Sequence, residues 1–115
     1  MSQGQTVEQV AQTIAAQHNA NAKTMLDDMT VATSAKAQGK TVVFENVLRV
    51  RQGLPPAKLR EFEQETRREV VPRACQVNQG NEGFKRGLTY TFVYKNTYGE
   101  KLAEFVVDKA ACGVK

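Results

Sequence analysis

The chain has 115 residues, 41% of them apolar and 24% charged, the size and composition of one globular domain over residues 1–115, and wholesale disorder is excluded. With three prolines, eight glycines and a mean hydropathy of −0.47 it is not collagen-like, and no apolar run approaches a membrane span. Sixteen Lys and Arg against twelve Asp and Glu leave a net charge of +4, which permits an acidic partner without demanding one. The polar start, Met1 to Gln5, carries no charged-then-apolar leader, as expected of a chain whose leader has been removed. From Thr6 to about Met25 the spacing predicts an amphipathic helix. Thr6 and Gln9 form a capping-box signal, and Val7, Val10, Ile14, His18, Ala22 and Met25 recur at three- and four-residue steps. Asn19 and Asn21 are weak helix formers, so its last turns are expected to fray or bend.

Met29–Ala37 and Lys40–Val50 read as a hairpin about a Gln38-Gly39 turn. In that register Ala35 faces Val42 and Thr33 faces Phe44. The core face then carries Met29, Val31, Thr33, Val42, Phe44, Leu48 and Val50, and Val43, Glu45 and Val47 point the other way. Gly53-Leu54-Pro55-Pro56 ends the strand and opens a second helix, from Ala57 to about Ala74, with Leu59, Phe62, Thr66 and Val70 as its apolar stripe. Pro72 is expected to kink or end it just before Cys75. Gln76–Gly87 is polar and glycine-bearing and reads as a loop, with Phe84 plugged into the core. Leu88–Lys95 and Glu100–Asp108 form a second hairpin about Asn96-Thr97-Tyr98-Gly99. Its register pairs Phe92 with Ala103, Tyr90 with Phe105 and Leu88 with Val107, and leaves Thr91, Val93, Leu102, Glu104 and Val106 on the opposite face. The order α-β-β-α-β-β implies an α+β domain: two helices on one face of a four-stranded antiparallel sheet.

Catalytic chemistry finds no support. The single histidine, His18, sits on an apolar helix stripe, where a packed histidine is the ordinary reading. G-x-S-x-G, P-loop and H-E-x-x-H motifs are lacking, and no metal-ligand spacing or cofactor motif is present. The expectation is a non-enzyme without metal or cofactor. Asp27-Asp28 reads as a polar turn, a cation site being the other possibility. Arg and Lys are frequent mid-chain, and Tyr90, Phe92 and Tyr94 alternate as stacking platforms do. The register turns those rings into the core, and no ribonucleoprotein motif appears, so nucleic acid is not the expected partner.

Cys75 and Cys112 lie too far apart for a CxxC pair. Either they form one disulfide tying the C-terminal tail to the middle of the chain, or they are two unrelated buried thiols. The tether position of Cys112 favours the disulfide, worth about 4 kcal/mol for such a loop and typical of an oxidising compartment. A partner surface has two candidate places. One is the seam beside the first helix, whose Ala11, Ala15 and Ala22 fill little volume. The other, favoured here, is the outer sheet patch of Val43, Val47, Val93, Leu102 and Val106.

The element order and the cysteine placement resemble the α/β, disulfide-bonded pilotins of bacterial type II secretion systems. The resemblance runs from about Met25 to Cys112 and is most specific at its end. There, Cys75-Gln76 is followed by a loop, the stretch Phe84-Lys85-Arg86-Gly87-Leu88-Thr89-Tyr90-Thr91-Phe92 with its glycine-led aromatic strand, the Asn96-Thr97-Tyr98-Gly99 turn, and a last strand ending in Val107-Asp108-Lys109-Ala110-Ala111-Cys112. It implies a small periplasmic lipoprotein that binds the C-terminal segment of an outer-membrane secretin, escorts it and assists its assembly. Any membrane association would run through a lipid anchor outside this chain, which opens with Met1-Ser2 rather than a lipid-bearing cysteine. The alternative is a periplasmic inhibitor or immunity protein that occludes an enzyme, with Gln76–Gly83 as its only long loop. A pilotin should instead present an apolar groove for a helix.

Overall fold

The computed structural model describes residues 4–113. Helix α1 (Val7–Ala20) is followed by a 3-10 turn (Ala22–Met25), strands β1 (Thr30–Gln38) and β2 (Thr41–Leu48), helix α2 (Pro56–Val77), the short helix α3 (Glu82–Lys85), and strands β3 (Thr89–Asn96) and β4 (Lys101–Val107). Thr6 and Gln9 complete a reciprocal capping box at the start of α1. The helix gives way to the 3-10 turn at Asn21, where the weak helix formers predicted a bend.

The sheet order is β1-β2-β3-β4. Both hairpins are antiparallel, but β2 and β3 run parallel, so the sheet is mixed rather than wholly antiparallel. The reason is the connection. A helix of 22 residues spans about 33 Å, enough to carry the chain back along a whole strand before β3 begins. That crossover makes β2 and β3 parallel. Each hairpin is also displaced from the expected register. In the first the turn is Gly39-Lys40, with Ala37 opposite Val42 and Ala35 opposite Phe44. Gly39 has φ +60, as the first central residue of a type II′ turn requires. In the second, Phe92 faces Phe105, Tyr90 faces Val107 and Tyr94 faces Ala103. Both displacements are by two residues and preserve parity along most of each hairpin; the exceptions are the register shifts between Thr30 and Ala32 and between Tyr94 and Lys95, where the alternation is broken.

Two expectations about the middle of the chain are corrected. Helix α2 continues through Pro72 to Val77. One missing N–H removes a single bond, and the following turn is anchored by the Cys75–Cys112 disulfide and by Asn78, whose amide closes on the Ala74 carbonyl. The segment Gln76–Gly87 is not an open loop. Asn81 caps α3 through the Gly83 and Phe84 amides, and Phe84 is 1% exposed, plugged into the core as expected.

Both long helices lie on the same sheet face, and they reach it differently. Ala11 and Ala15 are buried against β1 and β2, and with no larger side chain in the way α1 sits low on the sheet. Asn19 also closes the β1 edge: its side-chain amide donates to the Ala35 carbonyl and accepts from the Ala35 amide, both at 2.8 Å, occupying groups that would otherwise template another strand. Helix α2 has no fully buried residue and lies over β4. Arg67 stacks on the Phe105 ring, Phe62 meets Tyr94 edge-on, and the disulfide ties down its last turns.

Candidate functional site

Because α1 covers β1 and β2 while α2 covers β4, the facing surface of β2 and β3 is left between them. A groove of about 670 Å³ runs there. Its floor is aromatic: Phe44, Tyr90, Phe92 and Tyr94, with Asn46 beside them. The rings form a continuous stack. Phe44 lies 5.1 Å from Phe92 and 5.8 Å from Tyr90, and Phe105 continues it from Phe92 and Tyr94. One wall is Ile14 and His18 of α1 with Met25 beyond them. The other is Val70, Arg73, Ala74 and Val77 of α2. Phe44, Phe92, Tyr94, Ile14 and Val70 are only half-buried. At the rims Met25 is 43% and Val77 76% exposed.

Polar groups fix the frame. At one end Tyr90 donates its hydroxyl proton to Asn78 Oδ1 at 2.6 Å, and Asn81 donates to the same oxygen. Burial pushes the Tyr90 phenol up to about 12, against the opposing pull of its Asn78 bond, so it stays a neutral donor. Burial, with Glu69 adding to it, also raises Tyr94. On the α1 side Thr33 donates to Asn46 Oδ1 at 2.8 Å. A hydroxyl has one proton, so Thr33 Oγ1 can only accept from His18 Nε2, 2.9 Å away. His18 therefore carries its proton on Nε2. Its ring meets Phe44 edge-on at 5.0 Å, and burial holds its pKa below 6.5, so it is neutral at pH 7. The chain's one imidazole thus belongs to a structural network. Among the described residues no three His, Cys, Asp or Glu side chains gather as a metal cluster would need.

A helix is about 10–12 Å across, so two turns occupy on the order of 1,000 Å³. The space holds the side chains of one helix face and not a whole helix. An amphipathic helix laid along the strands would put its apolar face on the aromatic floor.

No protein-family model matches the sequence, and no curated protein matches it. Solved structures do. The type II secretion system pilotin AspS from Vibrio cholerae superposes with a TM-score of 0.66 at 19% identity, over 92% of both chains. EpsS, the pilotin from the Vibrio vulnificus type 2 secretion system, superposes with a TM-score of 0.70 at 19% identity, over 92% of this chain and 91% of its own. The chain shares the fold of type II secretion pilotins. The pilotin resemblance read from the cysteines and the second hairpin is therefore one of whole-chain architecture, and the Cys75–Cys112 disulfide it includes is formed, with the Cα atoms 5.4 Å apart.

The outer-patch residues are distributed unevenly. Val43 and Val47 are half-buried and Val106 is exposed on the face away from the helices. Val93 is buried between Glu45 and Glu104 of the neighbouring strands. Leu102 is also buried: it falls where the β3–β4 register shifts, and it lines a small cleft with Leu54 and Leu59. Glu45 and Lys95 bridge across that outer face at 3.4 Å. The groove residues Phe44, Phe92 and Tyr94 were visible in the sequence only as core positions. The signal nearest to the groove was the run of alanines on α1. Asp27 forms the polar turn expected of it, its carboxylate accepting the Met29 and Thr30 amides, which lower its pKa. Among the described residues no helix is long and apolar enough to cross a membrane.

Proposed function

We propose that this chain is a pilotin: it holds the C-terminal segment of an outer-membrane secretin as an amphipathic helix in the groove between α1 and α2, and assists its targeting and assembly. The observation that carries this reading is the half-buried aromatic floor, Phe44, Phe92 and Tyr94, left open between two helices. The shared pilotin fold supports it, and so does the apolar exposure of Met25 and Val77 at the rims. The role would be non-catalytic and periplasmic, with any outer-membrane attachment supplied by a lipid anchor. A disulfide fits that compartment. The inhibitor reading needs a projecting loop, and the segment that would supply it is folded in around buried Asn78 and Phe84.

The test is calorimetric titration with a synthetic peptide of the C-terminal segment of the secretin encoded in the same genome. Wild type should bind, and Phe92→Asp, which puts a charge on the groove floor, should lose binding by at least tenfold while keeping its fold by circular dichroism. A wild-type protein that takes up no peptide would overturn the proposal.

A further inference from the structure

The groove has a polar side that a purely apolar helix would leave unused. Among the described residues Arg73 is the only charged one lining it. It is exposed on α2, and no carboxylate of the described residues lies within ion-pair distance of it: the ion pairs are Lys58–Glu61, Arg67–Glu63, Lys95–Glu45 and Lys101–Glu104. Glu69, one turn earlier on the same helix, acts on Tyr94 instead. On the opposite side Asn46 accepts the Thr33 hydroxyl through Oδ1, while its amide N–H groups have no partner among the described residues. The Nε2 proton of His18 is already given to Thr33. The one cationic group left over in the groove is the Arg73 guanidinium, with the Asn46 amide as a further donor across from it, and among the described residues no carboxylate lines the groove to answer them, only the Tyr94 hydroxyl and the His18 Nδ1 as neutral acceptors.

A helix with only apolar side chains would bury these donors without acceptors, at a cost of about tenfold in affinity for each donor fully desolvated. Guanidinium and carboxylate pair through charge-assisted bonds, frequently two in parallel, which orients the acid as well as attracting it. We infer that the groove selects a helix bearing an Asp or Glu on the border of its apolar face, received by Arg73, with Asn46 offering a second donor across the groove. This rests on the helix-docking reading above and adds the residue that sets which helix is accepted and in which register.

The probe is the same secretin peptide, made in its native form and with each Asp and Glu changed in turn to Asn or Gln. Three proteins are titrated: wild type, Arg73→Gln and Arg73→Lys. One amide replacement should weaken binding to wild type about tenfold and leave binding to Arg73→Gln unchanged. Arg73→Gln should bind the native peptide about tenfold more weakly and with a shallower salt dependence, and Arg73→Lys should fall between them. Arg73 is exposed on a helix, so these variants should fold as wild type does. Equal affinity of Arg73→Gln and wild type for the native peptide, or no amide replacement that weakens wild type, overturns the inference while the docking reading stands. If the native peptide does not bind wild type at all, the docking reading fails and this inference fails with it.

Discussion

The two ends of the helix-covered sheet face are finished differently. At the end where Ala37, Val42, Tyr90 and Val107 line up across the strands, most of the face is sealed, although Ala37 is half-buried and Tyr90 borders the groove. Val42, Val107 and Leu88 are 0% exposed, and Phe84 from α3 stacks on Tyr90 within the core cluster that also holds Val7 and Ala11 of α1. Asn78 and Asn81 tie Tyr90 to that plug, and the disulfide fastens the α2 terminus to the chain end. Two residues further along β2 and β3, the same face carries Phe44 and Phe92, and beyond them Asn46 and Tyr94, all half-buried under the gap between α1 and α2. Apart from Asn46, the side chains are as apolar at one end as at the other. What differs is whether a third element, α3, arrives to cover them. The sealed end buries its apolar side chains; the open end leaves apolar surface exposed.

Three substitutions and conditions sharpen this contrast. The largest effect on stability should come from Phe84→Ala, which removes the plug: about 3–5 kcal/mol in urea unfolding. Phe92→Ala should cost clearly less, because that ring is already half in water. Equal losses would mean that the two ends do not differ. Next is Cys75→Ala with Cys112→Ala, which should cost about 2–4 kcal/mol through the freed loop and should also weaken peptide binding, since α2 loses its tether beside the groove wall. A protein that is destabilised yet binds with full affinity would show that the groove does not depend on the disulfide.

The smallest effect concerns His18. Its folded-state pKa lies below its ordinary 6.5 because burial disfavours the charged ring, so the unfolded chain takes up the proton more readily. Its contribution to stability is therefore complete above about pH 6.5 and is lost as pH falls through the lowered value. Asp27 and Glu100, both lowered first by backbone amide bonds, lose their contributions only in the more acid range below the usual carboxylate values. The melting temperature of wild type should start to fall just under pH 6.5, and His18→Gln should remove that first step and keep the acid one. An unchanged first step in His18→Gln would assign it elsewhere.

The facing of residues was legible in the sequence, because a period of two survives a register displaced by two. Ala35 opposite Phe44 and Phe92 opposite Phe105 therefore obey the assigned faces although the expected partners were wrong. Strand direction was not legible. Parallel and antiparallel joining of β2 to β3 put Phe44 and Phe92 on the same side, and only the path of α2 decides between them. The groove was hidden for a related reason. Phe44, Phe92 and Tyr94 have the pattern of core residues, and their half-burial is set by how far apart the helices stand. That distance depends on Ala11 and Ala15 drawing α1 down and on Phe62, Arg67 and Cys75 holding α2 over β4, contacts between residues distant in the chain. Pro72 does not end the helix, for a simpler reason: local helix breaking yields when the turn after it is anchored.

The central claim is that the open end of the helix-covered face, and not the outer sheet face, receives the partner. The most direct measurement is nuclear magnetic resonance mapping of the isotope-labelled chain titrated with the secretin C-terminal peptide. The account predicts that the shifted amides and side chains cluster at Phe44, Phe92, Tyr94, Ile14, Val70 and Arg73, with Val43, Val47 and Val106 unmoved. Shifts confined to Val43, Val47 and Val106, with the aromatic floor unchanged, would contradict it and return the partner site to the outer face.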